Sequence, residues 1–305
     1  AFTCALLNSL PMGFYGPSQL VSDARKHGVE VRPVDVTRSV FDAQLETDGR
    51  PELHDVSDHP DFDPERYGEG GAALRLGLRS IKGFSSHTAE QLVNTRRQRP
   101  FESVEDCVRR AGLDRRQAAT LAEAGAFGAL TKNRRQAWWQ AGTRLESAPL
   151  FATEDLVEAP PELAEPGASE RLRADFNHLG LSLEMHPMEL LRAEMKKRGI
   201  LDAADLAAAP QGLVCTVAGI SICRQRPATA SGVMFITLED EHGFINCVLR
   251  KREQERFRPA LLGGNLLVFR GVVERTGDVV HLLVRWVDDC SGQLRSLKTR
   301  SRDFH

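Results

Sequence analysis

The chain has 305 residues, 27% charged and 41% hydrophobic, and its 40 Lys and Arg nearly balance 42 Asp and Glu, for a net charge of −2. That length allows two or three domains with cores of their own, and the charged and apolar fractions, ordinary for a soluble protein, name no class by themselves. No apolar run approaches the ~20 residues of a membrane span, and the opening AFTCALLNSL lacks the basic lead and cleavage site of a signal peptide, so a cytoplasmic protein with no membrane partner is expected.

In chain order, residues 1–9 read as an apolar helix, and the chain opens inside it with no initiator Met, as expected of a fragment of a longer protein. Pro11 to Pro17 forms a rigid loop, and Pro17 suits the first turn of a second helix that Gly28 stops. Val29–Val36 is a strand candidate, with at most one weaker strand near Phe41–Leu45 in the Asp-, Pro- and Gly-rich stretch 39–73. Two helical hairpins follow. In the first, LRSIKGFSSHTAEQLV from Leu78 to Val93, a short helix leads to Lys82-Gly83 and a second helix begins near Ser85 or Ser86. The second has a helix over Val104–Arg110, punctuation at Gly112 and an N-cap at Asp114 for a helix through Glu123; it repeats the form without the Lys-Gly tip. Trp138 and Trp139 sit late in a further helix.

From Glu146 to Glu170 there is no Lys or Arg but four prolines, an extended linker composition. Its Pro149-Leu150-Phe151 group resembles a sliding-clamp ligand, with Glu146 where such ligands carry Gln, and chance occurrence is the favoured reading. Helical pattern returns over 171–199, broken at Gly180 and His186-Pro187, with a short helix near Ala203–Ala208. Strands then read over Val214–Arg224, with Gly219 at a bend, Val233–Asp240 and Phe244–Leu249; a helix over 252–262 precedes a hairpin of Asn265–Arg275 and Val279–Asp288. Three strands, a helix and two strands is the order of an OB-fold barrel. The expected class is therefore α+β and multidomain: a mainly helical N-terminal half with tandem helix-hairpin-helix units, then a C-terminal OB-fold β-barrel.

Charge is segregated along the chain. Residues 1–73 carry 6 basic and 13 acidic side chains, residues 74–144 carry 14 and 6, and residues 145–212 return to 6 and 13. A basic island coinciding with the hairpins is the footprint of a phosphate-binding module. Gly83 lets amides approach a phosphate closely, and the helix beginning at Ser85 or Ser86 adds its positive terminus. Lys82 supplies a point charge, and Arg96, Arg97 and Arg99 extend the surface; Ser85 stands where such tips carry a second glycine. On the barrel, Phe235, Thr237, Asn246 and Phe244 occupy the open face of the second and third strands, with Arg224, Arg226, Lys251 and Arg275 at its rim. An aromatic there stacks a base while cations follow the backbone.

Nothing in the chain forms a Ser/His/Asp set, a P-loop or a dinucleotide fingerprint. The six cysteines are scattered, without metal spacing, as in a reducing compartment. His178, His186 and His281 read as structural or exposed, and Glu239-Asp240-Glu241 as a solvated turn. No catalytic or metal-binding residue is expected in this chain.

The segments ALLNSLPMGFYGPSQLVSDARKHGVEVRPVDV, LRLGLRSIKGFSSHTAEQLV, FESVEDCVRRAGLDRRQAATLAEAGAFGAL, HLGLSLEMHPMELLR, RQRPATASGVMFITLEDEHGFINCV and the terminal SRDFH together resemble the bacterial C-family DNA polymerases related to the polymerase III alpha subunit. The match is closer to the error-prone branch of damage-tolerant synthesis. The resemblance implies the end of a fingers domain over 1–73, a helix-hairpin-helix DNA-binding domain over 74–144, an acidic linker and connecting helices over 145–212, an OB-fold domain over 213–291 and a basic tail over 292–305. It implies primer–template DNA as partner, duplex at the hairpins and single strand at the barrel, with accessory mutagenesis proteins or a sliding clamp as further partners. The family's Mg²⁺-holding carboxylates lie upstream of this chain, and Asp61 and Asp63 are not expected to replace them. Two alternatives stand beside this reading: a non-catalytic DNA-binding adaptor, and a fragment of the replicative subunit.

Overall fold

A computed structural model describes residues 1–12, 16–47, 70–142, 161–227, 232–277 and 279–296. Pro60 to Pro64, Pro149-Leu150-Phe151 and most of the basic tail lie outside the described residues. The chain divides into two compact units, Ala1–Leu183 and Glu184–His305.

The first unit opens with α1 (Phe2–Asn8) and α2 (Pro17–Lys26), the latter ended by Gly28 at φ 80°. A three-stranded sheet has β3 (Ala73–Arg75) at its centre, parallel to β1 (Val31–Arg32) and antiparallel to β2 (Gln44–Glu46). The strand expected over Val29–Val36 shortens to β1 because Pro33, following Arg32, has no N–H for the ladder. A boundary at residue 73 falls inside β3, so the sheet joins the two expected domains. Glu46 fastens it: its carboxylate accepts two hydrogen bonds of 2.9 Å from Arg75 and one of 2.7 Å from Arg32.

Beyond β3 the backbone passes Gly77, where a Cβ would meet the main chain of Phe41 and Asp42 at 2.3–2.5 Å. Bonds from Leu78 N to Val40 O and Arg79 N to Phe41 O hold the next residues against that chain. The short helix expected to open the first hairpin is accordingly a single 3₁₀ turn, Leu78–Ser80. It is followed by α3 (Ser86–Gln98), α4 (Val104–Arg110), α5 (Arg115–Glu123) and α6 (Arg134–Gly142). Leu76, Leu78, Ile81, Leu92, Leu121 and Phe127 fill one core beneath these elements. Part of the expected connector also belongs here. In α7 (Ala168–His178), buried Asp175 accepts hydrogen bonds from Arg134 at 2.5 Å and Ser182 at 2.6 Å.

In the second unit, α8 (Pro187–Lys197), β4 (Ile200–Leu201) and α9 (Ala203–Ala208) precede the barrel. The barrel strands are β5 (Val214–Gln225), β6 (Met234–Glu239), β7 (Phe244–Leu249), β8 (Leu266–Thr276) and β9 (Val279–Asp289). Their order β5-β6-β7-β9-β8 closes through a β5–β8 pairing. Gly219 sits at the bend of β5, where a Cβ would lie 2.9 Å from Leu238 Cβ and Glu239 O. Between β7 and β8 the expected single helix is two, α10 (Lys251–Arg256) and α11 (Arg258–Gly263), because Pro259 begins a new helix and cannot continue the old one. A short α12 (Ser291–Ser296) ends the described chain.

The acidic run expected to be a solvated turn is a buried joint. Asp240 accepts bonds from the backbone N–H groups of Ala203, His242 and Gly243, and both Asp240 and Glu241 pair with Arg192. Burial alone would raise the Glu241 pKa; the Arg192 hydrogen bond overrides it and holds the carboxylate ionised.

Candidate nucleic-acid interface

Two hairpin tips of the same build lie in the first unit. At the first, Gly83 has φ 75°, Phe84 tucks into the core, and Ser85 caps α3 by accepting from Thr88 N at 3.1 Å. At the second, Gly112 has φ 61°, Leu113 is buried, and Asp114 caps α5 by accepting from Gln117 N at 2.7 Å. Each tip thus places a left-handed glycine two residues before a capping side chain, with an apolar anchor between. The second tip, expected from Gly112 and Asp114 to repeat the form without the Lys-Gly pair, has the same turn geometry as the first. The shared spacing, Gly-x-Ser and Gly-x-Asp, is the signal that could have revealed it.

The tips are also joined. The Gln117 side-chain amide donates to Thr88 Oγ1 at 3.0 Å, and Thr88 Oγ1 is 2.8 Å from Ser85 Oγ. The N-terminal turns of α3 and α5 therefore stand side by side. Among the described residues, the amides of Gly83, Ser85, Ser86 and His87 at one tip, and of Arg115 and Arg116 at the other, have no hydrogen-bond acceptor. Gly83, Ser85, Ser86, His87, Arg115 and Arg116 are all exposed. Unpaired amides at two positive helix termini are a ready-made anion site.

The expected cations fare differently. Lys82 is exposed, but its ammonium donates to Phe176 O at 2.6 Å and its amide to His178 O at 2.8 Å, so it caps the end of α7. Arg96 is a structural clamp: its guanidinium donates to the carbonyls of Val36, Arg38 and Ser39, and burial lowers its pKa. Arg99 pairs with Asp106 at 3.2 Å. Arg97 is exposed with no partner among the described residues. It nonetheless sits in the last turn of α3, about 15 Å along the helix from the tip. The cations at the tips are Arg115 and Arg116, which charge counting along the sequence did not separate from their neighbours. Both guanidinia have no partner among the described residues.

On the barrel, the register brings the expected face together. Thr237 pairs with Asn246, and Phe235 with Val248 and Gln225. Phe235 and Phe244 are 36% and 48% exposed, and Asn246 is exposed. Of the rim cations, Arg224 donates to Gly264 O and Arg275 to the carbonyls of Ala207 and Ala209, so both hold loops in place. Lys251 makes only a 4.0 Å pair with Glu255 on an open surface, and Arg226 is exposed without a partner among the described residues. No group of three or more His, Cys, Asp or Glu able to hold a metal occurs among the described residues, and no described helix is long and apolar enough to cross a membrane.

Comparison with known proteins agrees with this division. The helix-hairpin-helix motif family matches residues 28–137, and the family of OB-fold nucleic acid binding domains matches residues 216–285. Along its entire length the chain is similar to proteins named error-prone DNA polymerase. It is 45% identical to that of Alkalilimnicola ehrlichii, covering 28% of that protein, 43% identical to that of Methylococcus capsulatus, covering 29%, and 47% identical to that of an Azoarcus species, covering 27%. The chain thus spans under a third of the length of these relatives. Among solved structures, asparaginyl-tRNA synthetase from Pyrococcus horikoshii aligns over 29% of this chain and 22% of its own, at 18% identity and a TM-score of 0.25, too slight a likeness to bear on function.

Proposed function

We propose that the chain is the C-terminal part of an error-prone DNA polymerase, the name its relatives carry, and that it holds primer–template DNA while the rest of the polymerase extends the primer in damage-tolerant synthesis. In this reading the two joined tips clasp the duplex backbone through the amides of Gly83, Ser85, Ser86, Arg115 and Arg116, with the two arginines adding charge. Such contacts position the duplex without reading its sequence. The Phe235–Asn246 face of the barrel, with Arg226 and Lys251 at its edge, holds the single-stranded template by stacking and charge. Nucleotide addition by two-metal phosphoryl transfer, with its Mg²⁺, is assigned to carboxylates outside this chain. The isolated chain therefore binds primer–template and incorporates no nucleotide.

The observation that carries the reading is the Gln117–Thr88 hydrogen bond, which sets two unpaired helix N-termini next to each other. The test is fluorescence anisotropy of the 305-residue chain with a labelled duplex over a salt series. Replacing Arg115 and Arg116 by Ala is expected to flatten the plot of log affinity against log salt by about two for any sequence. An unchanged slope removes the tips from the duplex.

A further inference from the structure

The outer face of β5, β8 and β9 is covered over only half its length. There α8 lies across Ala218, Leu266 and Val268, with Met188, Leu191 and Met195 filling the contact. Past the end of α8 the face is open. Thr216, Arg270 and Trp286 form one row across the three strands, since Thr216 pairs with Arg270 and Arg270 with Trp286. With Val214, Arg198 and Arg285 they line a groove of about 590 Å³.

A β-bulge builds this groove. The register of β8 on β9 slips between Arg270 and Gly271, so Arg285 has no partner across the ladder. Arg285 and Trp286 are consequently both exposed although they are neighbours on a strand, where side chains ordinarily alternate. Gly271 permits the close approach, because a Cβ there would lie 2.4 Å from Leu283 O. The result is an indole 41% exposed in a groove that three arginines also line. The Arg270 and Arg285 guanidinium groups have no hydrogen bond or ion pair among the described residues. Arg198 lies near the Cys290 thiol, and Asp288 shares the face beside the covered end, opposite Val268. The groove remains net positive.

We propose that this groove is a second nucleotide-binding subsite of the barrel, distinct from the Phe235 face, in which a base of single-stranded nucleic acid stacks on Trp286 and its flanking phosphates meet Arg198, Arg270 and Arg285. An acidic peptide would satisfy the cations but leave the indole plane in water; a nucleotide uses both, since every base has a π-face and every linkage a phosphate. The subsite draws nothing from the hairpin tips, so it stands or falls apart from duplex binding.

The chain has three tryptophans, so Trp138→Phe and Trp139→Phe in the 305-residue chain leave Trp286 as the only indole. Titration with a short oligothymidylate is expected to quench its emission saturably. Arg270→Ala with Arg285→Ala is expected to weaken that binding about tenfold, while Phe235→Ala leaves the quenching amplitude intact. Polyglutamate of equal charge is expected to leave the emission unchanged. The proposal is overturned if oligothymidylate binds without quenching, if polyglutamate quenches equally, or if Phe235→Ala abolishes the signal. Should the double Phe variant fold poorly, photocross-linking of the unaltered chain to an iodouracil oligonucleotide decides the matter. A cross-link on the Trp286 peptide supports the subsite, and cross-links confined to Phe235 or Phe244 overturn it.

Discussion

Gln117 and Thr88 occupy the same third position in the helices that follow the two hairpin tips, and the amide of one donates to the hydroxyl of the other at 3.0 Å. Thr88 is buried and also touches Ser85 Oγ, while Gln117 Oε1 accepts from Asp114 N, so one network runs from cap to cap. Thr88→Val keeps the shape and removes the junction. It is expected to cost about 1 kcal/mol of stability, with a coupling to Gln117→Ala of similar size in a double-mutant cycle. If both tips clasp one backbone as proposed, duplex affinity should fall severalfold in either single variant. Additive single effects on stability and binding would show that the tips act independently.

Lys82 provides a sharper test of the proposed DNA contacts. Its ammonium is committed to Phe176 O, so Lys82→Ala is expected to lower thermal stability by about 1 kcal/mol and to leave the salt dependence of duplex binding where it was. A slope reduced by about one unit would instead mean that Lys82 leaves α7 to reach a phosphate.

Local signals made much of this fold legible. Capping residues and glycines placed α4 and α5, alternation placed β6, and the Gly243 turn placed the start of β7, because those features are decided within a few residues. What could not be read was where long cationic side chains end. Arg96, Arg224 and Arg275 all look like free charges in the sequence, yet each donates to main-chain carbonyls some 40 to 66 residues away or more. The acidic run at 239–241 misled for the same reason, its partner Arg192 lying 48 or more residues upstream. Trp286 escaped notice because its exposure comes from a bulge, and a one-residue slip of register leaves no mark in strand alternation.

The three-stranded sheet should respond to acid. Hydrogen bonds from Arg75 and Arg32, working against burial, hold the Glu46 carboxyl at a pKa of about 2. A carboxylate depressed below its unfolded value contributes stability that is complete above pH about 4.5 and disappears as pH falls toward 2. Glu46→Gln should therefore cost on the order of 2 kcal/mol at neutral pH. The difference in melting temperature between it and the parent chain should narrow steadily below pH 4. A difference independent of pH would show that packing, not the ion pair, sets the cost.

Gly77 is the narrowest point on the path from that sheet to the first tip. A Cβ there would overlap the backbone of Phe41 and Asp42, and main chain cannot swing aside as a flexible side chain does. Gly77→Ala must push the two segments apart, straining the bonds from Leu78 N to Val40 O and Arg79 N to Phe41 O. Strain of that kind, with two buried hydrogen bonds weakened, is expected to cost about 3 kcal/mol. Because Leu78 and Ile81 continue directly into the tip, the loss should appear in hydrogen exchange at residues 78–93 before it appears in the barrel. Gly83→Ala makes the contrasting case: no atom lies within 4 Å of its Cβ position, and only the positive φ resists. It should cost about 1 kcal/mol and weaken duplex binding at the amides of the tip. Equal destabilisation by the two substitutions would show that close approach at Gly77 does not govern the fold.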